Sequence, residues 1–480
     1  MDTKKNTLPN PFVSAIPLIV LFVLLAISVT LFGDNAMGGA SQVSLLFGTA
    51  VCSGLSMFIY GVPWKTLEDS IKNTIGDTSV SIVILIMIGM LGGAWMISGV
   101  VPTLIYYGIQ IMSPTFFLVC TCIICSIVSV MTGSSWTTIA TIGIALIGIG
   151  NALGIPSPLT AGAIISGSYF GDKISPLSDT TTLAASAAGT ELFTHIKYML
   201  FTTVPTMTIT LVIFLVLGFC YGNGGEVNVS AYTEGLERSF NITLWTLLVP
   251  VFTGFLIYKK VPALITLFLS SLAAGVCALA LQQDVLLKVV GEEVPSAMHL
   301  IKALFITYST STAVDTGNAA LNDLVSTGGM AGMLNTIWLI LCAMCFGGVM
   351  VASGMLMSLT SVLLRFIHNT FGLVASTVFT GFLLNVVTSD QYISIILSAS
   401  MFKDAYRDRG YESRLLSRSS EDGATVTSVL IPWSTCGMTQ ATVLGVSTMA
   451  YLPYCFFNII SPLMSCFIAL IGFKIYKKEK

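Results

Sequence analysis

Apolar residues in this chain come in blocks rather than in alternation. Runs of about 20 residues recur at Phe12–Phe32, Val43–Tyr60, Ser79–Val101, Tyr198–Phe219, Ile242–Tyr258, Pro262–Leu281 and Pro453–Phe473, each long enough as a helix to cross a hydrocarbon layer of ~30 Å. Two shorter pairs differ. Phe116–Val130 and Ser135–Gly150 flank the polar "TGSS"; Phe371–Val387 and Tyr392–Met401 flank "TSDQ". Both pairs read as re-entrant hairpins with tips at membrane depth, where non-helical backbone survives only if buried in protein or lining a cavity. Downstream of each, a helix breaks at a proline, Pro176 and Pro432. Proline withholds an amide donor and clashes with the preceding turn, which frees carbonyls to hold cations. The pattern predicts an all-α polytopic membrane protein of roughly 10–13 helices.

The breaks belong to a duplication. "MLGGAWMISG" (Met90–Gly99) has a partner in "CFGGVMVASG" (Cys345–Gly354), Thr132–Trp136 in Thr388–Tyr392 (388 − 132 = 256), and "PLSDTT" from Pro176 in "PWSTCG" from Pro432 at the same offset. Duplicated halves with interrupted helices at matching positions point to a secondary transporter. The reading divides the chain into an N-terminal transmembrane helix (1–40), a first repeat with hairpin and broken helix (41–190), connecting helices (191–300), a second repeat (301–450), and a C-terminal helix with a basic tail (451–480).

Charge sets the orientation. The loop Lys403–Arg418 carries Lys403, Arg407, Arg409, Arg414 and Arg418; the tail "KIYKKEK" and Lys4–Lys5 are also basic. Basic loops stay in the cytoplasm, which puts both termini there and the acidic loop Tyr221–Phe240 outside. The first-half counterpart of the Arg-rich loop, "NALGIPSP", has no charge, so it belongs outside and the repeats are inverted. The first apolar run is too long for a signal peptide and reads as a retained helix.

Composition narrows the classes. Hydrophobic residues make up 54% and charged ones 9%, against roughly 25% charged in soluble proteins, so the lipid bilayer is the main partner. A net charge of −2 argues against nucleic acid. Nucleotide-loop, H-E-x-x-H and G-x-S-x-G motifs are absent, which argues against ATP-driven transport and leaves no support for an enzyme or a cofactor. The pair Cys342 and Cys345 lies inside an apolar run and reads as packed thiols. A homodimer is left open.

Two long segments carry a resemblance. "SGSYFGDKISPLSDTTTLAASAAGTELFTHIKYM" looks like the signature of the NhaC family of sodium/proton antiporters. "MFKDAYRDRGYESRLLSRSSEDGATVTSVLIPWSTCG" is similar to that family's matching segment, and "FGGVMVASGM" fits as well. The resemblance implies a multi-pass antiporter of the cytoplasmic membrane with inverted repeats. Its relatives include exchangers of carboxylates such as malate and lactate. Ser434 departs from the family pattern, which carries asparagine there.

The candidate site follows from where acids meet breaks. A carboxylate at membrane depth costs ~3 kcal/mol unless paired or functional, and out of water a proton competes with Na⁺ for it. Asp172, Asp179 and Asp390 are the cation- and proton-binding candidates, with a Na⁺ site expected at Asp179 and Asp390. The bland reading has Asp172 paired with Lys173 and Asp390 capping its own hairpin tip. Ser134, Ser135, Ser178, Thr180, Ser434 and Thr435 offer hydroxyl ligands, although such residues also join transmembrane helices. Lys173 is a counter-ion or a binder of a substrate carboxylate. Glu421 and Asp422 are a candidate gate, or a solvated helix start favoured by the dipole. His195 reads as an interfacial anchor or a pH sensor, and Gly167/Gly171 as a close helix contact. The function expected is Na⁺ (or Li⁺) exchange for H⁺. The alternative is a coupled exchanger of small organic anions or amino acids, and behind it stand a passive channel and an inert scaffold.

Overall fold

The computed structural model describes residues 8–32, 38–221, 229–316, 322 and 325–477. Lys4–Lys5, Glu226 and the last three residues, on which the orientation partly rests, lie outside them. The described residues form helices without a β-strand, joined by two isolated bridges, Thr312 to Thr327 and Tyr411 to Lys477. Nine helices are long and apolar enough to cross a membrane, or eleven if each of two bent pairs is one span. Side chains such as Phe12, Phe47, Val212 and Phe219 stay more than half exposed on the outer faces, as a lipid-facing surface requires.

The first half runs α1 (Pro11–Phe32), α2 (Ala40–Phe58), α3 (Trp64–Ile97), α4 (Val100–Ile111), α5 (Pro114–Thr132), α6 (Ser135–Thr138), a π-helical turn at Ile139–Gly143, α7 (Ile144–Ala152), α8 (Ser157–Ile174) and α9 (Asp179–Ala188). Connecting helices follow: α10 (Leu192–Tyr221), α11 (Val229–Ser239), α12 (Leu248–Tyr258), α13 (Ala263–Leu281), α14 (Gln283–Val290) and α15 (Ala297–Ser309). The second half has α16 (Leu334–Ala352), α17 (Met355–Leu363), α18 (Thr370–Thr388), α19 (Gln391–Asp408), α20 (Ser413–Ala424) and α21 (Thr435–Leu444); α22 (Thr448–Tyr451) and α23 (Phe456–Ile471) close the chain.

The duplication is visible in the caps. Helix α5 ends at Gly133 with φ 68° and α18 at Ser389 with φ 60°, both left-handed. Ser134 then caps α6 and Asp390 caps α19, each side chain accepting an amide of the first turn. After the breaks, Ser178 caps α9 and Ser434 caps α21; these helices stop at left-handed Gly189 and Gly445. A side-chain cap satisfies amides that a helix start leaves unpaired, so the same polar positions build the same turns twice.

Close packing repeats too. A Cβ on Gly167 would strike the Cys122 carbonyl between α8 and α5, and one on Gly423 the Val378 carbonyl between α20 and α18. Gly171 continues the first contact, 2.6 Å from the Ser126 carbonyl oxygen for a built Cβ. The small residues read from the sequence as a helix contact do bring backbones together. The arms expected to be short are longer: α5 has 19 residues and Ser135–Ala152 has 18. Sharp bends stand elsewhere, 87° between Tyr232–Ser239 and Leu244–Tyr258 and 56° between Thr448–Tyr454 and Phe456–Ile471.

Candidate functional site

Asp172 sits in the last turn of α8 and is 4% exposed. The break that follows, Ser175–Ser178, turns the chain so that Ser178 points back. Its Oγ donates to Asp172 Oδ1 at 2.6 Å, with Thr180 Oγ1 2.9 Å from that same Oγ. From the tip of the first hairpin, the Ser135 hydroxyl and amide both donate to Oδ2, at 2.7 and 3.2 Å. Among the described residues no basic side chain makes an ion pair with this carboxylate. Lys173 points away from it and pairs with Asp422, so the expected Asp172–Lys173 pair is not formed.

Asp172 lines a cavity of about 440 Å³ together with Ser134, Asp179, Thr180, Gln391 and Tyr392. Asp179, at the first position of α9, is exposed within it. The turn between α12 and α13 forms a further wall and includes Lys260, whose φ of 59° is left-handed. A second cavity, about 380 Å³, lies further along the same helices. Val80–Ile84 of α3 and Ser134–Thr137 border the first; Ile88–Met96 and Ile144–Asn151 border the second. The π-helical turn falls between them, and no charged side chain among the described residues lines the second cavity.

Asp390 is also buried, at 4% exposure. Its Oδ1 accepts from the Ile393 amide at 3.0 Å, the bond of a hairpin-tip cap. The two residues that follow it, Gln391 and Tyr392, are the ones that reach the cavity wall. Tyr392 stands within electrostatic reach of Asp172, Asp179 and Asp390. Ser434 and Thr435 are buried at the second break. Ser434 Oγ donates to the Ser428 carbonyl and accepts from the Gly437 amide, and the Thr435 amide donates to the Ser389 carbonyl. None of these contacts brings Ser434 or Thr435 to Asp172.

Glu421 and Asp422 are not a solvated helix start. Both are fully buried in the last turn of α20, because this helix lies inside the bundle against α18, α19, α9 and α23. Asp422 Oδ1 accepts from Lys173 Nζ and from Ser461 Oγ at 2.8 Å. Glu421 Oε2 lies 2.6 Å from His195 Nε2. His195 is therefore no interfacial anchor; it is fully buried too. Taking charges out of water is expensive and is offset only by close pairing, which Lys173 and Asp422 achieve.

Sequence reasoning missed Gln391, Tyr392 and Lys260 as cavity residues. The repeat could have found the first two, since Gln391 and Tyr392 align with Ser135 and Trp136 (391 − 135 = 256). Nothing in the sequence marks Lys260.

The Na⁺/H⁺ antiporter family model matches residues 167–473. A malate-2H⁺/Na⁺-lactate antiporter of Bacillus subtilis is 37% identical over 92% of this chain and 90% of its own length. A Na⁺/H⁺ antiporter, NhaC, of Alkalihalophilus pseudofirmus is 36% identical over 87% of both chains. An arginine/ornithine antiporter, ArcD, of Halobacterium salinarum is 34% identical over 97% of this chain and 92% of its own.

Proposed function

Since the chain belongs to the Na⁺/H⁺ antiporter family, we propose that it is a secondary antiporter that moves Na⁺ and H⁺ in opposite directions, with Asp172 as the carboxylate the cation occupies. One observation carries this reading: a buried carboxylate faces a cavity with hydroxyl donors and no basic partner. A buried anion without a counter-charge is unfavourable, and a cation or a proton relieves it. The hydroxyl oxygens of Ser135, Ser178 and Thr180 supply further hard ligands once their hydrogens turn away. Asp179, exposed in the same cavity, attracts the cation first. The uncharged second cavity along the same helices supports an approach from the opposite side, as alternating access needs. In this reading the halves are inverted, the protein sits in the cytoplasmic membrane, and the Arg-rich loop from Lys403 faces the cytoplasm.

The test is reconstitution into liposomes holding a pH-sensitive dye, followed by Na⁺, Li⁺ and K⁺ additions. Proton movement on Na⁺ addition, lost in Asp172→Asn, is the expected result. Exchange that survives this change removes Asp172 from the mechanism.

A second reading, exchange of a small carboxylate or amino acid, is favoured by one feature. Lys260 lines the same cavity as Asp172 and Asp179, and the cavity's 440 Å³ exceeds what a bare Na⁺ fills. Lys173 does not serve this reading, being fully buried against Asp422. Silence to inorganic cations with uptake of a labelled carboxylate, lost in Lys260→Ala, would favour it.

A further inference from the structure

Close to the cavity carboxylate, and joined to it through Thr181, lies a second ionic centre. We propose that the His195–Glu421 pair is the proton-carrying site of the exchanger, separate from the cation site at Asp172. The proposal rests on the Na⁺/H⁺ reading above and says where H⁺ rides.

Counting hydrogens supports it. Ser417 Oγ donates its hydrogen to the Arg414 carbonyl at 3.0 Å. With its hydrogen there it accepts from His195 Nδ1, 2.8 Å away, and in the tautomer proposed here Nδ1 carries the hydrogen. The other ring nitrogen, Nε2, is 2.6 Å from Glu421 Oε2. Two bare lone pairs at that distance repel, so one proton lies between them. Imidazolium with carboxylate and imidazole with carboxylic acid have the same net charge, and the proton shifts along this line without changing it. Its loss leaves one negative charge inside the bundle.

The pair is linked to the cation site. Thr181 Oγ1 lies 3.2 Å from Glu421 Oε1 and 3.0 Å from the Asp172 carbonyl oxygen. A threonine hydroxyl donates to an ionised Glu421, or accepts from a protonated one while donating to that carbonyl. The contact therefore survives both charge states. Glu421 and Asp172 also feel each other's charge. While Asp172 is empty and negative, the proton is held; a cation at Asp172 cancels that field and favours proton release. By linkage, the proton weakens the cation equally. Competition needs no shared ligand.

The surrounding charges fit an exit. Lys173 from α8 is committed to Asp422. Arg418, one turn from Glu421 on α20, is fully buried over the Tyr198 ring at 4.4 Å; among the described residues none of its side-chain nitrogens has a hydrogen-bond partner. This cation favours the deprotonated pair. Tyr406 from α19 and Cys466 from α23 face the same cluster. The sequence of α18 has no titratable side chain, and the one acid of α9, Asp179, opens to the cavity. Beyond Arg418, Arg414 and the Tyr198 hydroxyl, which donates to the Lys474 carbonyl, lead to the basic end of the bundle.

Two transport modes separate this role from a structural one. Proteoliposomes with Glu421→Gln or His195→Gln are measured for Na⁺-driven proton movement and for radiosodium/Na⁺ counterflow, which moves no proton. We expect the first to fall about 100-fold, the size of a lost proton-transfer group, with counterflow kept. Loss of both alike, in protein of normal yield and size, makes the pair structural and overturns the proposal; loss of neither also does. Ser417→Ala keeps both titrating groups and frees Nδ1, so the pH profile of exchange should shift; an unmoved profile counts against the proposal even where the other variants do not fold. Asp172→Asn should lose both modes, which tells failure of the cation site from failure of the proton site. Wild-type protein silent to Na⁺ in both modes overturns the exchange reading and this proposal with it.

Discussion

The two polar breaks share one scaffold and differ in charge. In the first, Asp172 is held by Ser135 from the hairpin tip and by Ser178 from the cap of the next helix. In the second, the matching positions are Ser428, Gln391 and Ser434, and the same residue pairs meet through other atoms: Ser428 Oγ donates to Gln391 Oε1 at 3.4 Å, and Ser434 Oγ donates to the backbone carbonyl of Ser428 at 2.5 Å. The hairpin tips agree as closely. Thr132 and Thr388 each bond the carbonyl two residues on, at 3.1 and 3.2 Å. The two breaks share their turn geometry, and an acid without an ion-pair partner among the described residues stands at only one of them. The second half's acid stands instead at the tip, where it spends an oxygen on its own helix.

If that contrast is right, Asp172→Asn has the largest effect. A hydrogen bond to a charged group contributes about 3 kcal/mol at most, so apparent Na⁺ affinity should fall about 100-fold or more, read from the Na⁺ dependence of exchange. Conversely, Ser428→Asp puts a carboxylate where the scaffold has no cation site. It should lower stability by about 3 kcal/mol, measured as earlier thermal unfolding in detergent, without raising Na⁺ affinity. Gly171→Ala tests the packing side of the comparison. Its Cβ has no room against Ser129 and the Ser126 carbonyl, and overpacking costs about 1–3 kcal/mol; at the matching position the second half already carries Thr427. Smallest should be Asp390→Asn. Asparagine caps a helix about as well as aspartate, so stability should hold and exchange should change less than about threefold, about half a kcal/mol. A loss as large as that of Asp172→Asn would erase the distinction between the breaks.

Much of this was legible in the sequence, for definite reasons. Apolar blocks give helices because backbone polar groups in lipid must be satisfied internally. Ser178 and Ser434 announce their helices because a hydroxyl before a helix start caps it. The offset of 256 located both breaks. What stayed hidden depends on tertiary neighbours. Glu421 and Asp422 look like a wet helix start, since α20 is rich in Arg, Ser and acids; only packing against α18, α19 and α23 buries them. Their partners, Lys173 and His195, lie 249 and 226 residues away in sequence, and no local pattern predicts such pairs. Lys260 reaches the cavity through a tight turn whose position the hydropathy pattern does not mark.

The Lys173–Asp422 pair fastens the helix that holds the first-half acid to the helix that leads into the second break. Sliding one half past the other would separate these groups inside the bundle, and stranding a buried charge costs about 3–5 kcal/mol. The two breaks are thereby riveted together, and any movement that parted them would first have to break this pair.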